Sequence, residues 1–554
     1  MKKILTLLSL LVLTIIGYYS YKKILLIKEE PNITGYLTSS VYEIQLYDME
    51  YKESISVPRG NKVSFKDNIV KYEEKEYYLV TYENNEYYIL TSNLTKEKGD
   101  SIREKIMYVR TPVTLYKDSK EISILSTIKK GEEVNIIGYD YLYSDGSVHK
   151  YKVEYRDKIG YVYAKYLVSD KEISLQNYKQ DSLYQTHLSR GDRYGGGNAG
   201  NLDYYPEEKP KFESNNMPDE VRSLYLNTVA INDVDKYINL AKESGINAFV
   251  VDIKDGSLAY PSEVAQSYSM TSYSSAKNTL ESYQNAITKL LDNGFYVIGR
   301  IVVFNDSNYV ADHNESAITD IKTGKPYLHG STYWPSPYRR DVWEYNVALA
   351  IEAIELMKFN EIQFDYVRFT DRTYTLENNG IIDLKNEYSE EKAEAIQGFL
   401  MYARDALHEK EVYISVDVFG ESAHAYVTGY GQYWPAMSNV VDVISAMPYP
   451  DHFNKYDYGL NEISWTIPYK LLYTWGKNYA AIRQTEIDSP AKVRTWIQAY
   501  NTIREPYIVY DASKISDQIK GLYDAGLTGG FITWNSSSSY NKYKEISAAF
   551  GKEY

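Results

Sequence analysis

Residues 347–369 read VALAIEAIELMKFNEIQFDYVRF. The stretch through Met357 carries apolar residues at helical spacing, and a short apolar strand, 361–365, follows and ends on Asp365. The same helix–turn–strand unit recurs in both directions from here. Asn232 can cap a helix that places Val234, Tyr237, Ile238 and Ala241 on one face, Gly245 ends it, and 248–252 (AFVVD) is a strand. A helix before Gly294 leads into 296–304 (YVIGRIVVF), one around 393–407 into 413–417 (YISVD), and one before Gly526 into 530–534 (GFITW). Strands at 223–226, 440–445 and 495–498 bring the total to eight. Alternating strands and helices predict a parallel sheet, and eight units in this length predict a (β/α)8 barrel over 218–554.

Most of these strands are apolar and then end in a charged, amide or aromatic residue: Asp252 and Lys254, Arg300, Asp365 and Arg368, Asp417, Gln498, Trp534. In this fold the C-terminal strand ends form the active-site face, so these side chains are expected to converge. Two carboxyl groups at one mouth suit cleavage of a glycosidic bond, in which one acid protonates the leaving oxygen and the other carboxylate is nucleophile or base. Asp365, with Arg368 three residues on to favour its ionised form, is expected as nucleophile or base. Asp417 is expected as the general acid, with Glu421 and Asp252 as rivals. Tyr366, Tyr449, His452 and Trp534 supply rings and hydrogen-bonding groups for a sugar, together with Asp252, Lys254, Arg300, Arg368, Glu421 and Gln498. Trp343 falls in a helical pattern and is expected in the core. The spacing of the two carboxyls, which separates retaining from inverting chemistry, is not readable from sequence.

Several classes are excluded. The chain has 554 residues, 61 of them Tyr, a net charge of −14 and no Cys. The acidic balance argues against duplex nucleic acid and anionic lipid as main partners. Without Cys there is no disulfide framework, thiol nucleophile or Cys-type zinc site. The seven histidines show no ligand spacing, so no metal or cofactor is expected. No phosphate-binding Gly loop follows a strand, which excludes a nucleotide enzyme, and no Gly-x-Ser-x-Gly elbow is present.

The region before the barrel divides further. Lys2 and Lys3 precede an apolar run over 4–16, and 4–21 carry no charge, so 1–23 is expected to be a membrane anchor; tyrosines occupy the positions that a cleaved signal would give to small residues. The C-terminal domains are then expected outside the cytoplasmic membrane, or secreted if the segment is cleaved. An internal repeat follows: 78–94 (YLVTYENNEYYILTSNL) aligns with 151–167 (YKVEYRDKIGYVYAKYL), and 57–63 (VPRGNKV) with 128–134 (IKKGEEV). Each copy alternates like half-buried strands, with hairpin turns expected at Asn84-Asn85 and Asp157-Lys158. The second copy, 104–170, resembles the bacterial SH3 family, and 33–97 resembles it more distantly. Residues 171–217, polar and Gly-rich, are expected to be a linker.

DIKDG (252–256), FDYVRF (364–369), SVDVFG (415–420), GQYW (431–434), VDVIS (441–445), MPYP (447–450) with His452, and WIQ (496–498) resemble, in order, a glycoside-hydrolase barrel domain family of Gram-positive bacteria whose function is unassigned. The resemblance implies an extracytoplasmic hydrolase acting on a cell-wall or surface polysaccharide, such as a peptidoglycan-type glycan. Two positions depart from the family pattern: Ala499 stands where an Asp follows the seventh-strand Gln, and Thr370 where Pro usually follows FDYVRF. Ala499 favours the alternative, a non-catalytic glycan-binding surface protein.

Overall fold

The computed structural model describes Thr14, residues 32–178 and residues 196–554. The anchor expected over 1–23 lies, Thr14 apart, outside the described residues, as do residues 179–195 of the expected linker. Among the described residues no helix is long and apolar enough to cross a membrane.

Residues 33–95 form β1 (Ile33–Leu37), β2 (Glu43–Tyr47), β3 (Glu53–Pro58), β4 (Lys62–Tyr72), β5 (Lys75–Tyr82), β6 (Asn85–Leu90) and β7 (Leu94–Thr95), joined in the order β3-β2-β6-β5-β4-β1-β7. Residues 106–168 form β8 (Ile106–Val109), β9 (Val113–Tyr116), β10 (Ile124–Ile128), β11 (Glu133–Tyr139), β12 (Lys150–Tyr155), β13 (Lys158–Tyr163) and β14 (Leu167–Val168), in the order β10-β9-β13-β12-β11-β8-β14. Strand for strand this is the same arrangement, so the repeat in sequence is a repeat in topology. The first hairpin turns one residue earlier than expected: Tyr82 pairs with Asn85, and Glu83 and Asn84 both take positive φ, as a two-residue turn requires. In the second copy the turn falls between Tyr155 and Lys158, with Arg156 at φ 55°.

The barrel is nearly closed and parallel. Its strands are Val221–Leu226, Ala248–Asp255, Tyr296–Val302, Glu361–Asp365, Tyr413–Phe419, Val443–Met447, a seventh in two pieces, Lys492–Val493 and Thr495–Gln498, and Gly530–Trp534. The first piece of the seventh strand pairs with the sixth strand and the second piece with the eighth, so the seventh bridges its neighbours by turns. The eighth strand pairs with the first. Gly530 makes that approach possible: it sits at φ +107°, and a Cβ there would lie 1.9 Å from the Val221 carbonyl oxygen.

Successive strand residues alternate between the two faces of the barrel wall. Val221, Tyr225, Ala248, Val250, Tyr296, Ile298, Tyr413, Trp496 and Ile532 share one parity and form one buried cluster. The opposite parity packs under the helices, where Phe364 meets Phe399 of the helix Lys392–His408. At the N-terminal end of the strands the interior is polar. Arg494, between the two pieces of the seventh strand, donates from Nη1 to Glu361 Oε1 at 2.8 Å, and Tyr296 Oη donates to Glu361 Oε2 at 3.0 Å. Neither side chain of the Arg494–Glu361 pair is exposed at all.

Three local expectations are corrected. Asn232 does not cap the first helix: Ala230–Asp233 is a 3-10 turn leading into Val234–Ser244, and the Asn232 amide donates to Asn278 Oδ1 instead. The sixth strand begins at Val443 rather than at 440, because Val440 ends the helix Trp434–Val440. The described end of the expected linker is part of the barrel domain. Ala199, Leu202 and Tyr204 are buried with Ala393, Val427 and Tyr433, while Phe212 and Met217 pack against the interior cluster. Five apolar side chains scattered through polar text anchor a segment that composition assigns to solvent. Trp343 is buried as expected, its indole donating to the Pro337 carbonyl.

Candidate active site

The C-terminal ends of the strands enclose a cavity of about 300 Å³, at the small end of the range for ligand sites. Arg300, on the third strand, is its centre of charge, with a side chain 2% exposed. Its Nη2 and Nε donate to Asp365 Oδ2 at 2.6 and 3.1 Å. Its Nη1 donates to Asp252 Oδ1 at 2.7 Å and to Asp255 Oδ2 at 3.1 Å. Burial alone would pull this guanidinium down, but Asp365, Asp252 and Asp255 outweigh it and hold it well above the ordinary arginine value.

The neighbouring strands explain this convergence. Arg300 is in register with Asp252 on the second strand and two residues short of the pairing of Val302 with Asp365 on the fourth, and all three share the inward parity. The sequence expectation that Arg368 pairs with Asp365 is corrected here. The chain turns at Tyr366, whose φ is +53° and whose backbone N–H donates to Asp365 Oδ1 at 2.6 Å, and Arg368 makes no hydrogen bond to Asp365.

Asp417, on the fifth strand, has no exposed side-chain surface. Its Oδ1 accepts from Trp496 Nε1 at 2.6 Å, while its Oδ2 lies 3.9 Å from Arg300 Nε and has no hydrogen-bond partner among the described residues. Burial and then the nearby Asp365 push its carboxyl well above the ordinary aspartate value, against the pull of Arg300. Asp252 accepts from Tyr225 Oη at 2.5 Å, and burial pushes it up to about 6 in spite of Arg300.

The cavity wall includes eight of the expected site residues: Arg300, Asp365, Tyr366, Arg368, Asp417, Tyr449, His452 and Trp534. Four others have different employment. Asp252 holds Arg300 from outside the wall. Lys254 Nζ meets Asp306 Oδ2 at 2.5 Å under the Tyr345 ring. Glu421 accepts from Tyr426 Oη at 2.8 Å. The Gln498 side chain joins the Asp451 backbone N–H to the Tyr500 carbonyl. Ala499 also lies outside the wall, and its backbone bonds Trp534 and Asn535.

Sequence reasoning missed Asp255 and Trp496 as wall residues, and Tyr225, which lines the cavity while holding Asp252. The signal was present for two of them: Tyr225 and Trp496 have the inward parity of their strands. The 42% exposed Asp255 side chain has no comparable marker. Among the described residues no three His, Asp or Glu side chains are grouped to hold a metal ion.

No curated protein matches the chain. Among solved structures it is similar to a hypothetical protein from Ruminiclostridium thermocellum ATCC 27405, with 31% identity, 35% of this chain and 97% of that one covered, and a TM-score of 0.30. It is also similar to the PgaB (BpsB) glycoside hydrolase domain from Bordetella bronchiseptica, with 13% identity, 60% and 99% covered, and a TM-score of 0.43. The Bacillus megaterium QM B1551 spore cortex-lytic enzyme SleL gives 12% identity, 61% and 76% covered, and a TM-score of 0.36. Residues 223–540, more than half of the chain, match a family of glycosyl hydrolases described as "Putative glycosyl hydrolase domain", and the chain belongs to that family.

Proposed function

We propose that this glycosidase cleaves a cell-wall or surface polysaccharide with Asp365 as nucleophile and Asp417 as general acid. The observation that carries this is the contrast between the two carboxyls. Asp365 Oδ2 accepts two N–H bonds from Arg300, the environment of a carboxylate. Among the described residues Asp417 Oδ2 makes no hydrogen bond, and burial and then Asp365 push its carboxyl well above the ordinary aspartate value, which favours the protonated form an acid needs. Among the described residues Asp365 Oδ1 accepts only the Tyr366 N–H, which leaves it a lone pair for the anomeric carbon. In the first step that lone pair forms the C–O bond to the sugar, and the Asp417 proton passes to the departing glycosidic oxygen. In the second step Asp417 takes a proton from water, and the resulting hydroxyl displaces Asp365. Both Oδ2 atoms lie within 3.9 Å of one nitrogen, Arg300 Nε. Those two distances hold the Oδ2 atoms no more than about 7 Å apart, below most of the inverting range of about 6.5–9.5 Å, and retention is the outcome we propose.

Asp255 is the second candidate for the acid, favoured by its exposure in the wall where Asp417 has none. Aryl glycosides with acidic leaving groups separate the roles, since they need no protonation. Asp365→Asn should be inactive on both aryl and natural substrates. The acid variant, Asp417→Asn here, should lose about 10²–10⁴-fold on the natural glycan and far less on the aryl glycoside. That pattern from Asp255→Asn instead would transfer the acid role.

The location proposed is outside the cytoplasmic membrane: the uncharged run 4–21 is long enough to span a bilayer, and the outward orientation is inferred from the wall or surface glycan proposed as substrate. The two repeated β modules are proposed as SH3-like spacers or wall-binding units, supported by their shared strand order. Protease added to intact, wall-stripped cells should degrade the barrel; protection of the whole chain would overturn this topology.

A further inference from the structure

Arg368 is the cation in the cavity wall that the carboxylates do not use. Its side chain is 11% exposed. Nη1 donates to its neighbour's carbonyl, Phe369 O, at 2.9 Å, while Nε and Nη2 bond to no atom among the described residues. Of the carboxylates acting on it, Asp365 makes no hydrogen bond to it, and Asp371 stands 3.7 Å away with its side chain 72% exposed, too distant and too wet to compensate a buried charge. Four ring faces surround the guanidinium: Phe419 at 4.6 Å, Trp334 at 4.9 Å, Tyr366 at 5.2 Å and Tyr430 at 5.5 Å.

These rings explain how the charge is tolerated, since each contributes a modest cation–π attraction. They do not explain why it is there. An apolar side chain would fill an aromatic cage at lower desolvation cost. What arginine adds is a planar fork of N–H donors, matched to the two oxygens of an oxyanion. Arg300 cannot serve that purpose, because three carboxylates already occupy it.

We infer that Arg368 forms a subsite for an anionic substituent, a carboxylate or phosphate carried by the sugar bound beside Asp365, so that the substrate is an acidic glycan. This rests on the assignment of the cavity as the glycosidase site. The net charge of −14 does not oppose it at this range, because exposed charges beyond about 8 Å are largely screened at physiological salt.

The test is calorimetric titration of the full-length protein with glucose, glucuronate and glucose 6-phosphate, which separates the carboxylate from the phosphate. At least one anionic sugar should bind about tenfold or more tighter than glucose, and added salt should weaken it. Arg368→Gln should reduce that preference to the glucose level, and Arg368→Lys should restore part of it, with thermal unfolding confirming that both variants fold. Equal binding of all three sugars by the wild type, absence of binding by both acids, or a preference that survives in folded Arg368→Gln would overturn the inference. An anionic preference without cleavage of any glycan would keep this subsite and remove the glycosidase mechanism. Cleavage of neutral glycans without an anionic preference would do the reverse.

Discussion

Trp496 donates its indole N–H to Asp417 Oδ1 at 2.6 Å, and the other oxygen of that carboxyl, Oδ2, makes no hydrogen bond among the described residues. The indole thus fixes which oxygen carries the proton. It also favours the ionised form, so it moderates the upward push of burial and of Asp365. Trp496→Phe should retain the ring and lose the bond. The proton is then held more tightly, and the descending, alkaline limb of the kcat/KM profile should move to higher pH. A limb that stays in place would separate Asp417 from the acid role.

The buried pair of Arg494 and Glu361 is the strongest stability prediction. Glu361→Gln leaves a guanidinium with no exposed surface and no counter-ion, at a cost of about 3–5 kcal/mol. Replacing both by apolar residues of similar length, Glu361→Leu with Arg494→Met, removes the charge as well as its partner. The double variant should unfold at a higher denaturant concentration than the single one; an additive loss would show that the pair is not coupled.

Asp252 gives a pH dependence with a definite sign. Its folded value, about 6, lies above the unfolded one, so the stability it contributes is fully present below the unfolded value and is lost as the pH rises through about 6. Asp252→Asn should flatten the fall in thermal stability of the wild type across that window. An unchanged slope would show that the aspartate is already ionised at low pH, held by Arg300.

The strands were legible because most of them write an apolar run and a polar end into a few consecutive residues. Asp365 and Asp417 end two such runs and do meet in one cavity. Partnership was less legible. Sequence distance pairs Asp365 with Arg368, but the turn at Tyr366 sends Arg368 elsewhere, and the guanidinium at Asp365 comes from a neighbouring strand 65 positions away. Such pairs follow from strand register and inward parity, which also mark Tyr225 and Trp496. The segment from 196 to 217 was misread for a different reason: Ala199, Leu202, Tyr204, Phe212 and Met217 have no helical or strand period, so only packing reveals that they are core or pack against it.

Product release from a panel of bacterial wall and surface glycans, with wild type and Asp365→Asn side by side, tests the two-carboxylate chemistry most directly. New reducing ends from the wild type alone, with Asp365→Asn still binding the cleaved glycan, are the predicted result. Binding of a glycan by both proteins with no reducing ends from either would contradict catalysis and leave a glycan-binding barrel.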